Sequence, residues 1–371
     1  MKKLLIVMIT LFLATGAVFA GGQKDTTKAM DSRISVRLIT DATGIDDKSF
    51  NAAAWKGILE YYGDSWEDQK GRGDVYDVVT CATQDMYIPT LKQAADEGYD
   101  LIVATGFTFA DALGEVAALY PEQKFAIVDV SWVNQPNVME FVMREEQGSF
   151  LVGVTAALQA QADNISNPKF GFIGGVPGYT ITKFEMGYLQ GIKAVYPNLP
   201  DSSFVDYYAN SWGSPELAKT QSKNWFDSGV YAIFSAAGGT GGGTIAMAKE
   251  YRSQGKNVWA IGVDSDQYED GIYEGKKSAV LTSMVKRVES ATLYALNAVE
   301  DDSFVSGVIT LDMAANGVDY SKANPELSAE VQKSVDMYKQ KIVDGSITVV
   351  DKYAACLEAG IAPAGLGAID D

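Results

Sequence analysis

The order of the predicted elements indicates an α/β protein with two lobes, each a parallel sheet flanked by helices, and a ligand cleft between the lobes. Short runs of β-branched residues alternate with segments of helical periodicity, and this alternation starts again after Arg144. Strands that are separated by helices pair in parallel through right-handed crossovers, so each round of alternation predicts its own sheet. The length of 371 residues, of which 47% are apolar, is enough for two cores of ordinary size.

The first lobe is assigned residues 33–143 and 277–303. Apolar, β-branched runs predict its strands at 34–39, 75–80, 101–104 and 125–128, with a later strand at 280–285. Apolar residues at helical spacing predict its helices at 49–62, 88–97, 110–119 and 289–299.

The second lobe is assigned residues 144–276 and 304–371. A helix at 146–161 is followed by strands at 170–173, 204–208, 231–234 and 258–263 and by helices at 181–195, 215–228 and 244–254. The C-terminal tail is predicted to add a strand, a helix at 326–342 and a hairpin-like piece. We expect the segments near 142–146, 265–278 and 300–305 to join the lobes as hinges.

The composition excludes several kinds of chemistry. The chain has no histidine, and its 30 lysine and arginine residues are outnumbered by 48 aspartate and glutamate residues, which gives a net charge of −18. Without histidine there is no Ser-His-Asp triad, no Cys-His pair and no histidine-bearing zinc or iron site. An acidic chain binds nucleic acid and anionic lipid poorly, because nothing offsets the phosphate charge. We expect no metal, no cofactor and no nucleic-acid partner, and a ligand that is neutral or weakly charged.

The N-terminus has the pattern of a cleaved export signal. Two lysines precede the apolar run 4–12, and small residues end at Ala20, which predicts cleavage after that residue. Gly21 stands where a lipoprotein signal would have a cysteine. We therefore expect a free protein in the periplasm or another extracytoplasmic space, with residues 21–32 as a flexible tether. A retained anchor helix is the alternative.

The two cysteines, Cys81 and Cys356, permit at most one disulfide. They lack CxxC spacing and have no neighbouring cluster of metal ligands. Two buried thiols, or one bridge in an oxidising compartment, are both compatible with this pattern.

Polar and aromatic residues follow the strands of the first lobe where each strand ends. Ligands of open α/β sheets bind beyond the carboxyl ends of the strands, so these residues are candidates for the cleft. Asp41 follows the first strand as either a ligand contact or part of the scaffold, and Asp129 follows the fourth strand. Phe50 begins the helix after the Asp41 loop, and Asp46 and Asp47 are expected to cap that helix or to be solvated.

The second lobe has its own candidates at the strand ends. Trp212 lies in a loop before a helix, where it provides a flat wall for a ligand or packs as part of a lid. The glycine-rich segment 235–244 lets a polar group approach a helix N-terminus, although it lacks the motifs of phosphate and dinucleotide loops. Asp264 ends a strand and is suited to accept hydrogen bonds from two vicinal hydroxyls. Lys286 ends another strand, as a solvated charge, a contact to a ligand hydroxyl or a partner of Asp264.

Six stretches of the chain carry a resemblance when they are taken together and in order. They are TDATGIDDKSFNAAAWKG (40–57), MREEQGSFLVG (143–153), FGFIGGVPGYTITKFEMGYLQGIKAVYP (170–197), IFSAAGGTGGGTIAMAKE (233–250), AIGVDSDQ (260–267) and TSMVKRVESA (282–291). The chain in this respect resembles the basic membrane protein family of ABC-transporter substrate-binding proteins, whose well-understood members bind purine nucleosides. The resemblance implies a two-lobed periplasmic-binding-protein-like fold of type I that closes on its ligand.

The resemblance also implies roles for individual residues. Asp41 would meet the edge of the base, with Ser49 and Phe50 in the same motif and Phe50 stacking on the base. Trp212 stands where the family would have a phenylalanine, which keeps the stacking but puts the width of the pocket in doubt. The remaining contacts would come from Gly238 through its backbone, Asp264 on the ribose hydroxyls, Lys286 beside them and, by a looser match, Asp129.

The expected function is that of a monomeric extracytoplasmic substrate-binding protein of an ABC importer. It would capture a purine nucleoside such as guanosine, adenosine or inosine and present it to an ABC permease in the inner membrane. A protein of the same fold that binds a sugar or a signalling molecule is the alternative. An exported nucleoside hydrolase, in which Asp41, Asp46 and Asp47 imitate a calcium cluster, is a further one.

Overall fold

The computed structural model describes residues 33–66 and 75–370, so the predicted signal peptide at 1–20 and tether at 21–32 lie outside the described residues. The strands are β1 (Val36–Thr40), β2 (Tyr76–Thr80), β3 (Leu101–Thr105), β4 (Lys124–Val128), β5 (Val138–Met143), β6 (Lys169–Gly174), β7 (Phe204–Tyr208), β8 (Val230–Ala236), β9 (Trp259–Asp264), β10 (Ile272–Glu274), β11 (Lys277–Ser278), β12 (Val280–Lys286), β13 (Gly307–Leu311) and β14 (Val318–Tyr320). The helices are α1 (Phe50–Tyr62), α2 (Tyr87–Glu97), α3 (Ala110–Leu119), α4 (Glu145–Ala162), α5 (Tyr179–Val195), α6 (Pro215–Asp227), α7 (Gly242–Ser253), α8 (Val288–Glu300), α9 (Ala329–Val343) and α10 (Tyr353–Glu358).

Two sheets of six strands confirm the predicted two-lobed α/β fold. The first has the order β13-β5-β4-β3-β1-β2, and the second has the matching order β14-β12-β9-β8-β6-β7. All pairs of the first sheet are parallel, and in the second only β14 runs antiparallel to its neighbour β12. Strands β1, β3 and β8 are buried along their whole length, as parallel strands covered by helices on both faces are. The equal order places strands of the two lobes in corresponding positions.

The strand pairings correct the predicted boundaries of the lobes. The stretch 277–303 was assigned to the first lobe, but its strand β12 pairs with β9 of the second sheet. Conversely, β13 lies within the stretch assigned to the second lobe, but it pairs with β5 of the first sheet. Both strands are short apolar runs, and such a pattern predicts a strand without indicating which sheet it joins.

Helix α8 follows the predicted assignment and packs on α1 of the first lobe. A Cβ atom at Gly57 in α1 would lie 2.4 Å from the backbone oxygen of Glu289 in α8, so the contact requires glycine. The chain therefore passes between the sheets at 143–145, 286–288 and 311–318. The first of these crossings lies within the expected hinge at 142–146, whereas the other two lie outside the segments predicted at 265–278 and 300–305.

The C-terminal tail differs from its prediction at one point. The predicted helix is present as α9, but the short helix α10 stands where a hairpin-like piece was expected. The α10 segment YAACLE is rich in alanine and leucine, which favour a helix. Cys356 lies in α10 and Cys81 follows β2; both thiols are buried and free, so the two cysteines do not form a bridge. Within residues 33–66 and 75–370, no helix has the length and apolar character needed to cross a bilayer.

Candidate ligand-binding cleft

A cavity lies between the two sheets, at the carboxyl ends of their strands. Both lobes contribute to its lining, which includes seven of the residues predicted as ligand contacts: Asp41, Phe50, Asp129, Trp212, Gly238, Asp264 and Lys286. Ser49, the eighth predicted contact, is fully buried and is not part of the lining.

Aromatic side chains from both lobes form the walls of the cavity. Phe50, the first residue of α1, comes from the first lobe, and Trp212 comes from the loop between β7 and α6 of the second lobe. Phe107 meets Trp212 edge to face, with ring centroids 6.2 Å apart. Phe184 of α5 lies on the same lining near Lys286, whose ammonium group is 5.5 Å from the ring centroid. Phe184 was not predicted as a site residue, because an aromatic residue inside a helical pattern is typical of a hydrophobic core.

The position of Trp212 depends on close contacts with glycine. A Cβ atom at Gly175 would lie 2.1 Å from the Trp212 ring, and no side chain fits there. The backbone oxygen of Trp212 accepts a hydrogen bond of 2.8 Å from the amide of Thr240. Gly238 has a φ of 54° and lies against the tryptophan. These contacts hold Trp212 in place on the lining of the cavity.

A polar network surrounds Asp41 at one side of the cavity. Its Oδ1 atom accepts hydrogen bonds from the Thr43 amide at 3.1 Å, the Thr43 hydroxyl at 2.5 Å and Asn51 Nδ2 at 3.0 Å. The Thr105 hydroxyl donates to Asn51 Oδ1 at 2.6 Å. Oδ2 of Asp41 has no hydrogen-bond partner within residues 33–66 and 75–370 and is available to a ligand on this lining. Thr105 follows the third predicted strand, where residues of the cleft are expected, whereas Asn51, which directly follows Phe50, was not predicted as a site residue.

Asp47 has the structural role that was expected of it. Its carboxylate accepts hydrogen bonds from the backbone amides of Ser49 at 3.0 Å, Asn51 at 2.8 Å and Ala52 at 3.0 Å, which caps α1. Both carboxylate oxygens of Asp47 thus accept hydrogen bonds from backbone amides and do not form a cation site. Among residues 33–66 and 75–370, no group of three or more acidic or sulfur side chains is placed to hold a metal ion.

Ser49 acts on Asp264 rather than on the cavity. The Ser49 hydroxyl, from the first lobe, donates a hydrogen bond of 2.6 Å to Asp264 Oδ2 in the second lobe. Asp264 ends β9 with a φ of 63°, a left-handed conformation that is uncommon for residues other than glycine. Burial raises the pKa of Asp264 to about 7, although Lys286 and the hydrogen bond from Ser49 act in the opposite direction. The prediction of Ser49 as a ligand contact therefore becomes one of a residue that positions Asp264.

Lys286 is the centre of a buried ion-pair network at the back of the cavity. Its side chain is 1% exposed and its ammonium group lies 2.5 Å from Asp129 and 2.9 Å from Glu145. Burial alone would lower the pKa of Lys286, but the carboxylates of Asp129, Glu145 and Asp264 outweigh it and raise the pKa above its usual value. Lys183 forms a second ion pair with Glu145 and donates to the backbone oxygen of Met143 at 2.8 Å.

This network excludes a solvated Lys286 and adds Glu145, which was not predicted. The direct hydrogen bonds of Lys286 go to Asp129 and Glu145, and Asp264 acts on it only through its charge. Glu145 begins α4, directly after the crossing from the first lobe. The MREEQG stretch was part of the resemblance, but a carboxylate at a helix N-terminus usually stabilises the helix, so its sequence position gave no signal of a site.

Comparisons with known proteins agree with this architecture. A family model described as "ABC transporter substrate-binding protein PnrA-like" matches residues 34–352. The "CD4+ T-cell-stimulating antigen" of Listeria innocua is 35% identical, over 95% of this chain and 99% of that protein. The "ABC transporter nucleoside-binding protein BmpA" of Lactococcus lactis is 32% identical, over 95% of this chain and 100% of that protein.

A solved structure supports the fold independently. The crystal structure of an ABC transporter solute-binding protein from Aeropyrum pernix superposes with a TM-score of 0.75 at 26% identity, covering 88% of this chain and 98% of the other. Both proteins therefore share the two-lobed arrangement. With the family model spanning most of the described chain and relatives above 30% identity along nearly all of it, this protein belongs to the Bmp family of ABC-transporter substrate-binding proteins.

Proposed function

We propose that this protein captures purine nucleosides outside the cytoplasm and delivers them to an ABC permease. The observation that carries the proposal is the cavity between the lobes, in which two aromatic walls, Phe50 and Trp212, lie on the same lining as a buried carboxylate, Asp264. A nucleoside has a flat base and a pair of vicinal hydroxyls, which match these two features. The nucleoside-binding relative from Lactococcus lactis supports the same ligand class.

The base is held by stacking in this proposal. Phe50 and Trp212 come from different lobes, so a base placed between them would be enclosed from both sides. Stacking of a base on an aromatic side chain contributes roughly 1–3 kcal/mol. Asp41 and Asn51 lie on the same lining and would contact the polar edge of the base.

The ribose is held by the carboxylate of Asp264. A carboxylate accepts two hydrogen bonds from vicinal hydroxyls, and bonds to a charged group contribute on the order of 1.5–3 kcal/mol each. Ser49 donates to Oδ2 of Asp264 and leaves the other carboxylate oxygen for the ribose hydroxyls. Lys286 lies beside it and Gly238 offers its backbone to the sugar.

The charges around the cavity favour the nucleoside over the nucleotide. The acidic residues of the lining include Asp41, Asp129 and Asp264. Within the described residues 33–66 and 75–370, the one basic residue of the lining is Lys286. Lys286 already has Asp129 and Glu145 as ion-pair partners, so its charge is compensated. A phosphate group would meet uncompensated negative potential, which disfavours it.

Transport requires that the lobes open and close around the ligand. The three crossings at 143–145, 286–288 and 311–318 would act as the hinges of this motion. Export would follow cleavage after Ala20, with Gly21 at the new N-terminus of a free, monomeric protein. The permease would then recognise the closed form.

Identification of the ligand that stays bound through native purification tests this proposal. We expect mass spectrometry to find a purine nucleoside, and calorimetric titration of the ligand-free protein to detect guanosine, adenosine or inosine. Phe50→Ala should weaken that binding at least about tenfold, or about 1.4 kcal/mol, through the lost stacking face. Binding of a sugar or another solute with no heat from any nucleoside would overturn the proposal, and full affinity in Phe50→Ala would overturn the stacking arrangement.

A further inference from the structure

A second, wider space, the outer chamber, adjoins the ligand cavity. Asp41, Thr43, Asp47, Thr108 and Trp212 line both spaces, so the cavity and the chamber meet at these residues. The outer walls of the chamber come from both lobes and include Ala82.

Another part of the cavity is enclosed by buried side chains. Asp129, Phe184 and Lys286 line the cavity but not the chamber, and Phe184 and Lys286 are 2% and 1% exposed. Asp264 is also buried, although it borders a separate pocket with Ser265 and Asp266. A ligand in the cavity thus has one enclosed end near Lys286 and one end that meets the chamber at Asp41 and Trp212.

We infer that the cleft accepts purine nucleosides that carry a bulky substituent on the edge of the base, with the substituent lying in the outer chamber. The inference rests on the proposed function: with the ribose at Asp264 and the base beside Trp212, the free edge of the base points past Asp41 into the chamber. Substituents on the sugar would instead meet the closed end. The site therefore rejects nucleosides with substituents on the ribose and accepts nucleosides with substituents on the base.

The chemistry of the chamber limits which substituents fit. Asp41, Asp46 and Asp47 are the charged side chains of its lining, and within the described residues 33–66 and 75–370 no lysine or arginine is part of it. Apolar surface comes from Ala82 and Pro215 among others. Neutral apolar groups and cationic groups suit such a wall, whereas a carboxylate or phosphate on the base would be repelled.

Three ligands with matched changes test the inference by calorimetric titration. Adenosine is the reference, N6-benzyladenosine carries a large neutral group on the base, and 2′,3′-O-isopropylideneadenosine has its vicinal hydroxyls blocked. We expect N6-benzyladenosine to bind within about threefold of adenosine, and the blocked compound to bind at least about tenfold more weakly.

A variant that fills the chamber makes the test specific to this space. Ala82 is exposed and lines the chamber but not the cavity, so Ala82→Trp should leave adenosine binding unchanged and weaken N6-benzyladenosine at least about tenfold. Leu119→Trp is the matched control, since Leu119 is 58% exposed and lines neither space. It should change neither affinity.

The outcomes separate the inference from the function on which it rests. If adenosine and the other unmodified nucleosides do not bind, the proposed function fails. If adenosine binds and N6-benzyladenosine is more than about thirtyfold weaker, the inference fails while the function stands. Equal binding of N6-benzyladenosine to the parent protein and to Ala82→Trp would show that the substituent lies elsewhere and would also overturn the inference.

Discussion

Asp129 and Asp264 occupy corresponding places in the two lobes. Asp129 directly follows β4 and Asp264 ends β9, and these strands lie third in their sheets, in the orders β13-β5-β4 and β14-β12-β9. Each has a left-handed backbone, with φ of 71° and 63° respectively. Both residues line the cavity; Asp264 is buried, and the side chain of Asp129 is 9% exposed. The repeated architecture thus delivers two aspartates to one cleft in the same local geometry.

Their partners make the two residues different. Asp129 has an ammonium group, that of Lys286, at 2.5 Å, whereas Asp264 receives a neutral hydroxyl, that of Ser49, at 2.6 Å. The charge of Asp129 is therefore compensated within the protein, and that of Asp264 is compensated only in part. In the proposed function, equivalent positions of the two lobes thus serve stability in one lobe and ligand binding in the other.

Removal of the cation should have the largest effect on stability. Lys286→Met would leave Asp129 and Glu145 buried with one cation fewer, and breaking a buried ion pair in this way costs about 3–5 kcal/mol. Urea unfolding measures the loss. Lys322→Met is the control, because the pair of Lys322 and Asp336 has side chains 46% and 44% exposed and should contribute at most about 1 kcal/mol. Equal losses in the two variants would contradict a special role of the buried network.

Removal of the second aspartate should affect binding more than stability. Asp264→Ala deletes the acceptor proposed for the ribose hydroxyls, and we expect nucleoside affinity to fall at least about tenfold, and up to about a hundredfold. Asp266→Asn, two residues further along and exposed, is the matched control and should bind normally. Calorimetric titration with adenosine compares the two, and an unchanged affinity in Asp264→Ala would remove this residue from the site.

The two aspartates also show which features of the site can be predicted from the sequence. Both were placed at strand ends from the alternation of strands and helices, because a strand end in a parallel sheet faces the ligand side whatever the rest of the chain does. Their partners were not predictable in the same way. Ser49 is remote in sequence from Asp264, and Glu145 is remote from Lys286. No local sequence pattern predicts contacts that arise only from tertiary packing.

The same limit explains the error in the lobe boundaries. The sequence pattern correctly predicted β12 and β13 as strands, but it did not predict which sheet each strand joins. Each is an apolar run that could pair with either sheet. Asn51 and Gly175 illustrate the complementary case within the site. Each adjoins a predicted feature, but its role depends on one tertiary contact that composition and periodicity do not encode.

The pH dependence of adenosine binding tests whether Asp264 acts through its negative charge. The pKa of Asp264 is raised to about 7 in the ligand-free protein, so its carboxyl group gains a proton as the pH falls below 7 and loses the charge that attracts hydroxyl donors. If only the ionised form holds the ribose, adenosine affinity should fall about tenfold between pH 8 and pH 6. Titrations of adenosine at several pH values measure this, and Asp264→Asn should bind weakly with a flat profile. A flat profile in the parent protein would contradict the assignment of Asp264.

The smallest expected effect concerns the wall of the cavity that Trp212 forms. Gly175→Ala places a Cβ atom 2.1 Å from the Trp212 ring, so the tryptophan must move and we expect nucleoside affinity to fall about threefold to tenfold. Gly178→Ala is the matched control, because its φ of 165° is extended backbone and a Cβ atom there would meet only Phe107 at 4.0 Å. Titration of both variants with adenosine and N6-benzyladenosine extends the comparison, since Trp212 lines the passage to the outer chamber as well as the cavity. Equal loss for both ligands indicates a lost stacking face, and normal binding in Gly175→Ala would mean that Trp212 is not a wall of the occupied site.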